Sequence, residues 1–367
     1  MNNKQFHIDF KLNGNSFLSV DDLLVYANSL SVHTQQFLRD WFSKSDVISV
    51  RTSGSTGAPK TIQLKKEFMI NSALATGQFF GALEKTTALL CMSAQYIAGK
   101  MMLVRALVLG WHMDCISPVA RPLEGLAKTY DFSAMVPMQL QNSLAEIHKV
   151  KTLLVGGGAV HVGLERKLDQ IATRVFATFG MTETITHIAA KPLNHSASIE
   201  NKACNDLKDH KNTKTMRSIH DASVYRTLPH VTISQDKRGC LVVNAPKVSE
   251  NKIITNDVVS IISDTAFKWL GRIDHVINSG GIKIHPEVVE KQLATLISQR
   301  FFVAGIPDEQ FGEKLVLLVE GEPSEIKLNK VSGLSKYELP KQIYFVQKFM
   351  ETETKKIQRF ATLDLIL

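Results

Sequence analysis

The chain has 367 residues, with 43 Lys plus Arg against 35 Asp plus Glu for a net charge of +8, and is 44% hydrophobic and 21% charged. That length allows two domains with a large core, and 11 Pro with 21 Gly exclude collagen-like or low-complexity architecture. Cys91, Cys115, Cys204 and Cys240 form no C-x-x-C pair, which leaves zinc ribbons and thioredoxin-type redox sites unsupported and fits idle thiols in a reducing compartment.

The first ten residues contain no apolar leader, and the most apolar stretch, Met101 to Trp111, is short and carries Arg105, so the chain reads as cytoplasmic with no membrane segment. The positive charge fits a nucleic acid or a polyanionic small molecule. The basic residues are dispersed apart from the polar run Lys202 to Arg217.

From residue 46 to about 180, short β-rich runs alternate with helical patterns. Strands are expected over 46–50, 87–92, 133–136, 151–155 and 174–179, and helices over 68–83, 98–109 and 163–173. Such alternation predicts an α/β fold with a parallel sheet covered on both faces. A polar excursion follows over 194–223, then antiparallel strands over 231–234, 239–244 and 258–262. Beyond Gly281 the pattern predicts a compact α+β unit: helices 286–297 and 324–332, and strands 301–305, 314–320 and 342–346. The boundary is expected near Asp274, giving domains 1–273 and 274–367.

Four segments carry chemistry. Thr52-Ser53-Gly54-Ser55-Thr56-Gly57-Ala58-Pro59-Lys60 follows a strand: its glycines let backbone approach a polyphosphate, its hydroxyls donate to phosphate oxygens, and Lys60 adds charge. Pro59 excludes a Walker A loop, and an ordinary Gly/Ser turn is the alternative. Phe179-Gly180-Met181-Thr182-Glu183 lies at a strand end, where Thr182 can reach a phosphate and Glu183 can hold Mg²⁺, or where the pair simply caps a helix. Gly271-Arg272-Ile273-Asp274, a Gly280-Gly281 turn and a Pro286-initiated helix form a plausible hinge. Thr354-Lys355-Lys356-Ile357 is a basic C-terminal cluster, of a kind most often solvated.

In this order and spacing, the four segments resemble the motifs of the acyl-adenylate-forming superfamily of acyl-CoA ligases, peptide-synthetase adenylation domains and firefly luciferase. The likeness covers the chain from about Val50 onward. Within the superfamily, the run from Arg272 to Glu287 is most similar to the o-succinylbenzoate–CoA ligases of menaquinone biosynthesis. The resemblance implies a large adenylate-forming domain, trimmed at its N-terminus, of mixed and parallel sheets flanked by helices, followed by a small mobile α+β lid carrying a catalytic lysine. It further implies ATP, Mg²⁺ and coenzyme A, with small-molecule substrates as partners and no nucleic acid. The two half-reactions are formation of an acyl-AMP and its conversion to an acyl-CoA thioester.

Residue by residue, the resemblance implies that Thr52, Ser53, Gly54, Ser55, Thr56, Gly57 and Lys60 hold phosphates, Thr182 contacts phosphate and Glu183 ligates Mg²⁺. Phe179 and Gly180 would flank the adenine, and Gly157 and Gly158 would pass near the base or acyl group. Asp257 and Arg272 would bind the ribose. Lys356 would stabilise charge on the α-phosphate as the carboxylate attacks. Asp274 would be the hinge, and Gly280 and Gly281 would line the thiol's tunnel. Lys355 and Asn256 stand where the family usually has Gly.

For the acyl pocket, Tyr96 is read as a wall and Lys100 or Arg105 as partner to a second carboxylate, since an unpaired buried charge is costly; alternatively both lie on a solvated helix face. A ligase for another aryl or short-chain acid, or a non-catalytic nucleotide- or nucleic-acid-binding module, are the other functions these residues allow.

Overall fold

The computed structural model describes residues 6–51, 61–160, 162–197, 223–328, 331, 333–352 and 357–367. The chain opens with a two-stranded hairpin, β1 (Lys11–Leu12) and β2 (Asn15–Ser16), followed by α1 (Val20–Ala27) and α2 (Val32–Phe42). α1 starts at a reciprocal cap: Ser19 Oγ accepts from Asp22 N at 3.1 Å and Asp22 Oδ2 accepts from Ser19 N at 3.0 Å. Leu23, Phe37 and Leu38 of these helices are fully buried in the main core.

β3 (Val47–Arg51) and β4 (Thr61–Lys65) form a separate antiparallel hairpin, with Arg51 opposite Thr61. The expected phosphate loop therefore joins two strands, and only then does the helix α3 (Lys66–Phe80) begin. Met69, Ser72, Ala73, Thr76 and Phe80 form the buried stripe of α3, at the spacing the sequence predicts.

The remaining elements of the larger part are β5 (Thr87–Leu90), α4 (Ile97–Leu109), β6 (His112–Cys115), β7 (Tyr130–Met135), α5 (Pro137–Asn142), β8 (Val150–Val155), α6 (Val162–Leu168), β9 (Arg174–Gly180), β10 (His187–Pro192), β11 (Val224–Thr227), β12 (Thr232–Gln235), β13 (Cys240–Asn244), β14 (Ile253–Ser263) and β15 (Ala266–Arg272). Thirteen of the strands form one sheet in the order β12-β13-β14-β15-β11-β10-β9-β8-β7-β5-β6-β1-β2. The run from β9 to β1 is parallel, and the strands beyond β9 pair antiparallel.

Alternate residues of the central strands serve different cores. Ala88, Leu90, Phe132, Leu154 and Phe176 pack on one face, and Leu89, Leu153, Val155, Val175 and Ala177 on the other. Burial on both faces is why these strands read as continuous apolar runs.

After Arg272 a five-stranded sheet follows, formed by β16 (Ile277–Ser279), β17 (Ile282–Ile284), β18 (Phe301–Asp308), β19 (Gly312–Glu320) and β20 (Gln342–Val346). Helix α7 (Pro286–Leu293) covers one face through Val289 and Leu293, and Leu363 of α8 (Arg359–Leu363) packs on the other.

Several boundaries differ from expectation. α6 stops at Leu168 because Asn194 Nδ2 donates to the carbonyls of Leu168, Ile171 and Thr173 at 3.1, 3.1 and 2.8 Å, a cap supplied from another part of the chain. The helix expected over 324–332 is replaced, among its described residues, by irregular chain. Ile326 and Leu328, two residues apart, pack onto the small sheet's core, a spacing that suits extended backbone. Cys91 and Cys240 are buried free thiols, and Cys204 and the polar stretch 198–222 lie outside the described residues. Among the described residues no helix is long and apolar enough to cross a membrane.

Candidate functional site

The site begins where β8 and β9 end side by side, Val155 opposite Ala177, at the carboxyl edge of the parallel strands. After β8 the chain turns through Gly156, Gly157 and Gly158, with Gly157 at φ +81°. Gly156 is required by space: a Cβ there would lie 2.7 Å from Thr178 Oγ1, which donates to Val155 O at 3.2 Å.

β9 ends at Gly180, beside a short 3₁₀ turn over Thr182–Thr184. Thr184 builds this turn, its hydroxyl bonding Met181 N at 3.1 Å, Met181 O at 2.9 Å and Thr186 O at 2.8 Å. Ile185 follows at φ +67° and ψ −61°, with Thr186 N donating to Thr184 O at 2.7 Å. This is a γ-turn of the rarer, strained hand, here on a buried β-branched residue. Beside this turn Thr182 is half-buried and Glu183 exposed at the strand end. No sequence pattern read above signals Thr184 or Ile185, because the turn closes only against β10.

Phe179 does not stand alone: its ring meets Phe267 edge-on at 5.3 Å and Tyr225 at 5.8 Å. Across the antiparallel part of the sheet, Asp257 on β14 is the register partner of Arg272 on β15. The two residues expected to share the ribose are thus brought together by strand pairing. Asp257 Oδ1 accepts from Trp269 Nε1 at 2.9 Å. Burial raises the carboxyl's pKa, with the Trp269 bond and the Arg272 charge opposing it. Trp269, to which the sequence reading gave no role, is the residue that holds the Asp257 carboxylate.

Arg272 Nη2 pairs with Asp274 Oδ2 at 2.6 Å, and Asn256 Nδ2 donates to Asp274 Oδ1 at 3.1 Å. Asn256, at the position where the family usually has Gly, therefore ties β14 to the expected hinge. Burial raises the Asp274 pKa, but the Arg272 bond and charge outweigh it and leave the group below its usual value. Gly271, at φ +146°, backs directly onto the Glu287 carboxylate, whose other oxygen lies 2.5 Å from His275 Nδ1. Gly280 and Gly281, at φ +59° and +81°, form the tight turn between β16 and β17.

Tyr96 precedes α4 and is half-buried, while Lys100 and Arg105 are both buried, contrary to the solvated-face alternative. The helix aims them apart. Lys100 Nζ lies 5.2 Å from the Phe37 ring centre, whereas Arg105 Nε donates to Thr76 Oγ1 at 3.3 Å and Arg105 Nη2 lies 3.5 Å from His187 Nδ1. Burial pushes the Arg105 guanidinium down to about 9. His187, unnoticed in the sequence, lines a pocket of about 240 Å³ with Ser72, Ala75, Thr184, Leu228 and Val231.

Thr52, Ser53, Gly54, Ser55, Thr56, Gly57 and Lys60 lie outside the described residues, as does Lys356. Their flanks are described: Arg51 faces Thr61 at the β3–β4 hairpin end, and Glu351 pairs with Ile357 in an isolated antiparallel bridge.

A mixed sheet with glycine and Thr-Glu turns at its parallel strand ends, followed by a small second sheet, is the architecture of adenylate-forming enzymes. The sequence profile of the AMP-binding enzyme family matches residues 12–225, and the chain belongs to that family. Among named relatives, it is 26% identical to the 2-succinylbenzoate–CoA ligase of Enterococcus faecalis, over 95% of this chain and 75% of that one. It is 25% identical to the enzyme of the same name from Listeria monocytogenes, over 88% and 71%.

Among solved structures, an acyl-CoA synthetase (AMP-forming)/AMP-acid ligase II-like protein from Dyadobacter fermentans shares 33% identity over 94% of this chain and 98% of its own, with a TM-score of 0.58. The o-succinylbenzoate–CoA synthetase of Bacillus subtilis, solved with ATP and magnesium ion, is 18% identical over 95% and 82%, with a TM-score of 0.68, and shares the fold.

Proposed function

We propose that this chain is an AMP-forming acid–CoA ligase that converts o-succinylbenzoate to its CoA thioester, acting in the cytoplasm. The observation that carries the reading is the pairing of Asp257 with Arg272 across β14 and β15, in the same sheet whose parallel strand ends carry the Gly156–Gly158 and Thr182–Thr184 turns. The described candidates for the ribose, the base and Mg²⁺ then belong to one sheet. The relatives named 2-succinylbenzoate–CoA ligase support the choice of acid.

In this reading residues 1–273 bind ATP and the acid, and 274–367 form the small domain that turns about Asp274. Asp257 and Arg272 hold the ribose hydroxyls, with Trp269 orienting the Asp257 carboxylate. Gly157 and Gly158 leave backbone open beside Phe179 and Gly180 for the adenine or the acyl group. The single exposed carboxylate of Glu183, next to Thr182, suits Mg²⁺, which takes one or two carboxylates and completes its shell with water and substrate phosphates. When bound, that ion would neutralise charge on the phosphates.

The segment 52–60 supplies phosphate contacts from the end of the β3–β4 hairpin, and Lys356 supplies the cation for the α-phosphate. Gly280 and Gly281 present backbone to the incoming thiol. Arg105, buried without a carboxylate partner among the described residues, takes the second carboxylate of the acid, and Tyr96 bounds the acyl pocket; Lys100, facing Phe37, is the weaker partner.

Pyrophosphate release with a panel of acids, with and without CoA, tests the reading. Release with o-succinylbenzoate supports it, and turnover of benzoate-like monoacids alone overturns the substrate. Lys356→Ala is expected to abolish adenylation yet spare thioester formation from supplied acyl-AMP; equal loss of both refutes the lysine's role.

A further inference from the structure

The carboxylate of Asp274, the expected hinge, is held by two donors. Arg272 Nη2 meets its Oδ2 at 2.6 Å, and Asn256 Nδ2 donates to its Oδ1 at 3.1 Å. Both donors stand on strands of the larger sheet, Arg272 on β15 and Asn256 on β14. The side chain of the turning point is therefore tied to the part of the chain that precedes it. Asn256 can do this in one amide orientation only. Its Oδ1 accepts from Arg238 Nη1 at 3.1 Å. A guanidinium only donates and an ionised carboxylate only accepts, so the amide must turn its oxygen to Arg238 and its NH₂ to Asp274.

Arg238 is fixed in its turn by Asp236, within the connection between β12 and β13. Asp236 Oδ1 accepts from the backbone N–H groups of Arg238 and Cys240 at 2.8 and 2.9 Å, and its Oδ2 accepts from Arg238 Nε at 2.8 Å. Arg238 Nη2 donates to Thr255 O at 3.0 Å. All three nitrogens of the guanidinium are thus engaged, in a planar fork that a lysine ammonium cannot reproduce. An exposed Arg–Asp pair contributes little to stability by itself. Here the pair aims a third group, and a glycine at position 256 would leave Asp274 with Arg272 alone.

Resting on the reading in which residues 274–367 turn about Asp274, we infer that Arg238 and Asn256 are positioning residues for that movement: Asp236 sets Arg238, Arg238 orients the Asn256 amide, and Asn256 anchors the Asp274 side chain to the larger sheet as a fixed pivot. A pivot held at both carboxylate oxygens restricts the orientations open to the small domain. Cutting the relay widens them, and the cost falls on turnover between the half-reactions, while Asp257 and Arg272 remain in place for the nucleotide.

The test is steady-state kinetics of CoA-thioester formation, with whichever acid of the panel the wild type uses best. Asn256→Ala removes a hydrogen bond to a charged group and is expected to lower kcat about tenfold, with the KM of ATP within about threefold of wild type. Arg238→Ala frees the amide to swivel and is expected to lower kcat by a similar factor. Arg238→Lys, which keeps a charge for Asp236 but not the fork, is expected to behave as Arg238→Ala. Because the residues act in series, Arg238→Ala with Asn256→Ala should lose about tenfold in kcat, not the hundredfold of independent effects. Arg238 lies at an exposed turn, so its variants are expected to fold, and thermal denaturation checks this for each protein. Wild-type kcat in folded Asn256→Ala or Arg238→Ala, full activity in Arg238→Lys, or multiplied losses in the double variant overturn the proposal. Wild-type enzyme that turns over none of the acids overturns the ligase reading itself, and the proposal with it.

Discussion

Gly180→Ala tests whether the Thr-Glu turn depends on close backbone contact between β9 and β10. Gly180 has an ordinary extended conformation, so its requirement is for space. A Cβ at this position would lie 2.2 Å from Thr186 O, 2.4 Å from His187 Cα and 2.7 Å from Thr186 C. Ordinary van der Waals contact begins at 3.4 Å, so the start of β10 must retreat by about 1 Å. Overpacking costs about 1–3 kcal/mol, and with main chain as the obstacle the upper end applies.

At about 2–4 °C per kcal/mol, the melting temperature should fall by about 6–12 °C. Gly81→Ala is the matched control: its φ is +68° but a Cβ there meets nothing within 4 Å, so only conformational strain of about 1 kcal/mol remains. The assay is thermal denaturation of both variants beside wild type. A Gly180→Ala protein that melts within 2 °C of wild type, or no lower than Gly81→Ala, refutes the reasoning.

Further outcomes follow from other contacts. Arg359 makes a two-bond pair with Glu290, at 2.5 and 2.7 Å, and also donates to Val303 O. Arg359→Ala strands a mostly buried carboxylate and should cost about 3 kcal/mol by urea unfolding, while Arg359→Ala with Glu290→Ala should cost less than the two single losses combined. Trp269→Phe removes the donor to Asp257, a bond to a charged group of about 1.5 kcal/mol or more, and should raise the KM of ATP about tenfold in steady-state kinetics. An unchanged KM would remove Asp257 from the ribose site.

The folded-state pKa of His187 lies below the unfolded value of 6.5, so below pH 6.5 the unfolded chain binds more protons. Stability should therefore fall as pH drops through 6.5 toward the folded pKa, by up to about 1.4 kcal/mol per unit. Asp274 and Glu287, held below their ordinary values of 3.8 and 4.5, lose their contributions only further into acid. Melting curves between pH 5 and 7.5 should show a slope that His187→Gln flattens.

Much of the molecule was legible in the amino-acid order. The buried stripe of α3, the apolar runs of β5, β8 and β9, the Gly280-Gly281 turn and the Pro286-initiated helix follow from local periodicity and turn chemistry, which act within a few residues. The Phe179–Glu183, Asp257 and Arg272 positions were marked as candidates by their resemblance to the family's motifs, which are short runs of adjacent residues. The end of α6 could not, because its cap is Asn194, more than twenty residues away.

What the tertiary structure alone decided are relations between distant residues. It merged the parallel and antiparallel strands into one sheet, set Asp257 opposite Arg272, and forced Ile185 into a positive-φ turn that only packing against β10 sustains. It also separated Lys100 from Arg105, two basic residues of one helix, by giving the first an aromatic neighbour and the second a histidine 82 positions further along. A sequence window shows which groups are charged. Which of those charges is buried, and what neutralises it, depends on elements that meet only after folding, because desolvation is a property of the packed interior.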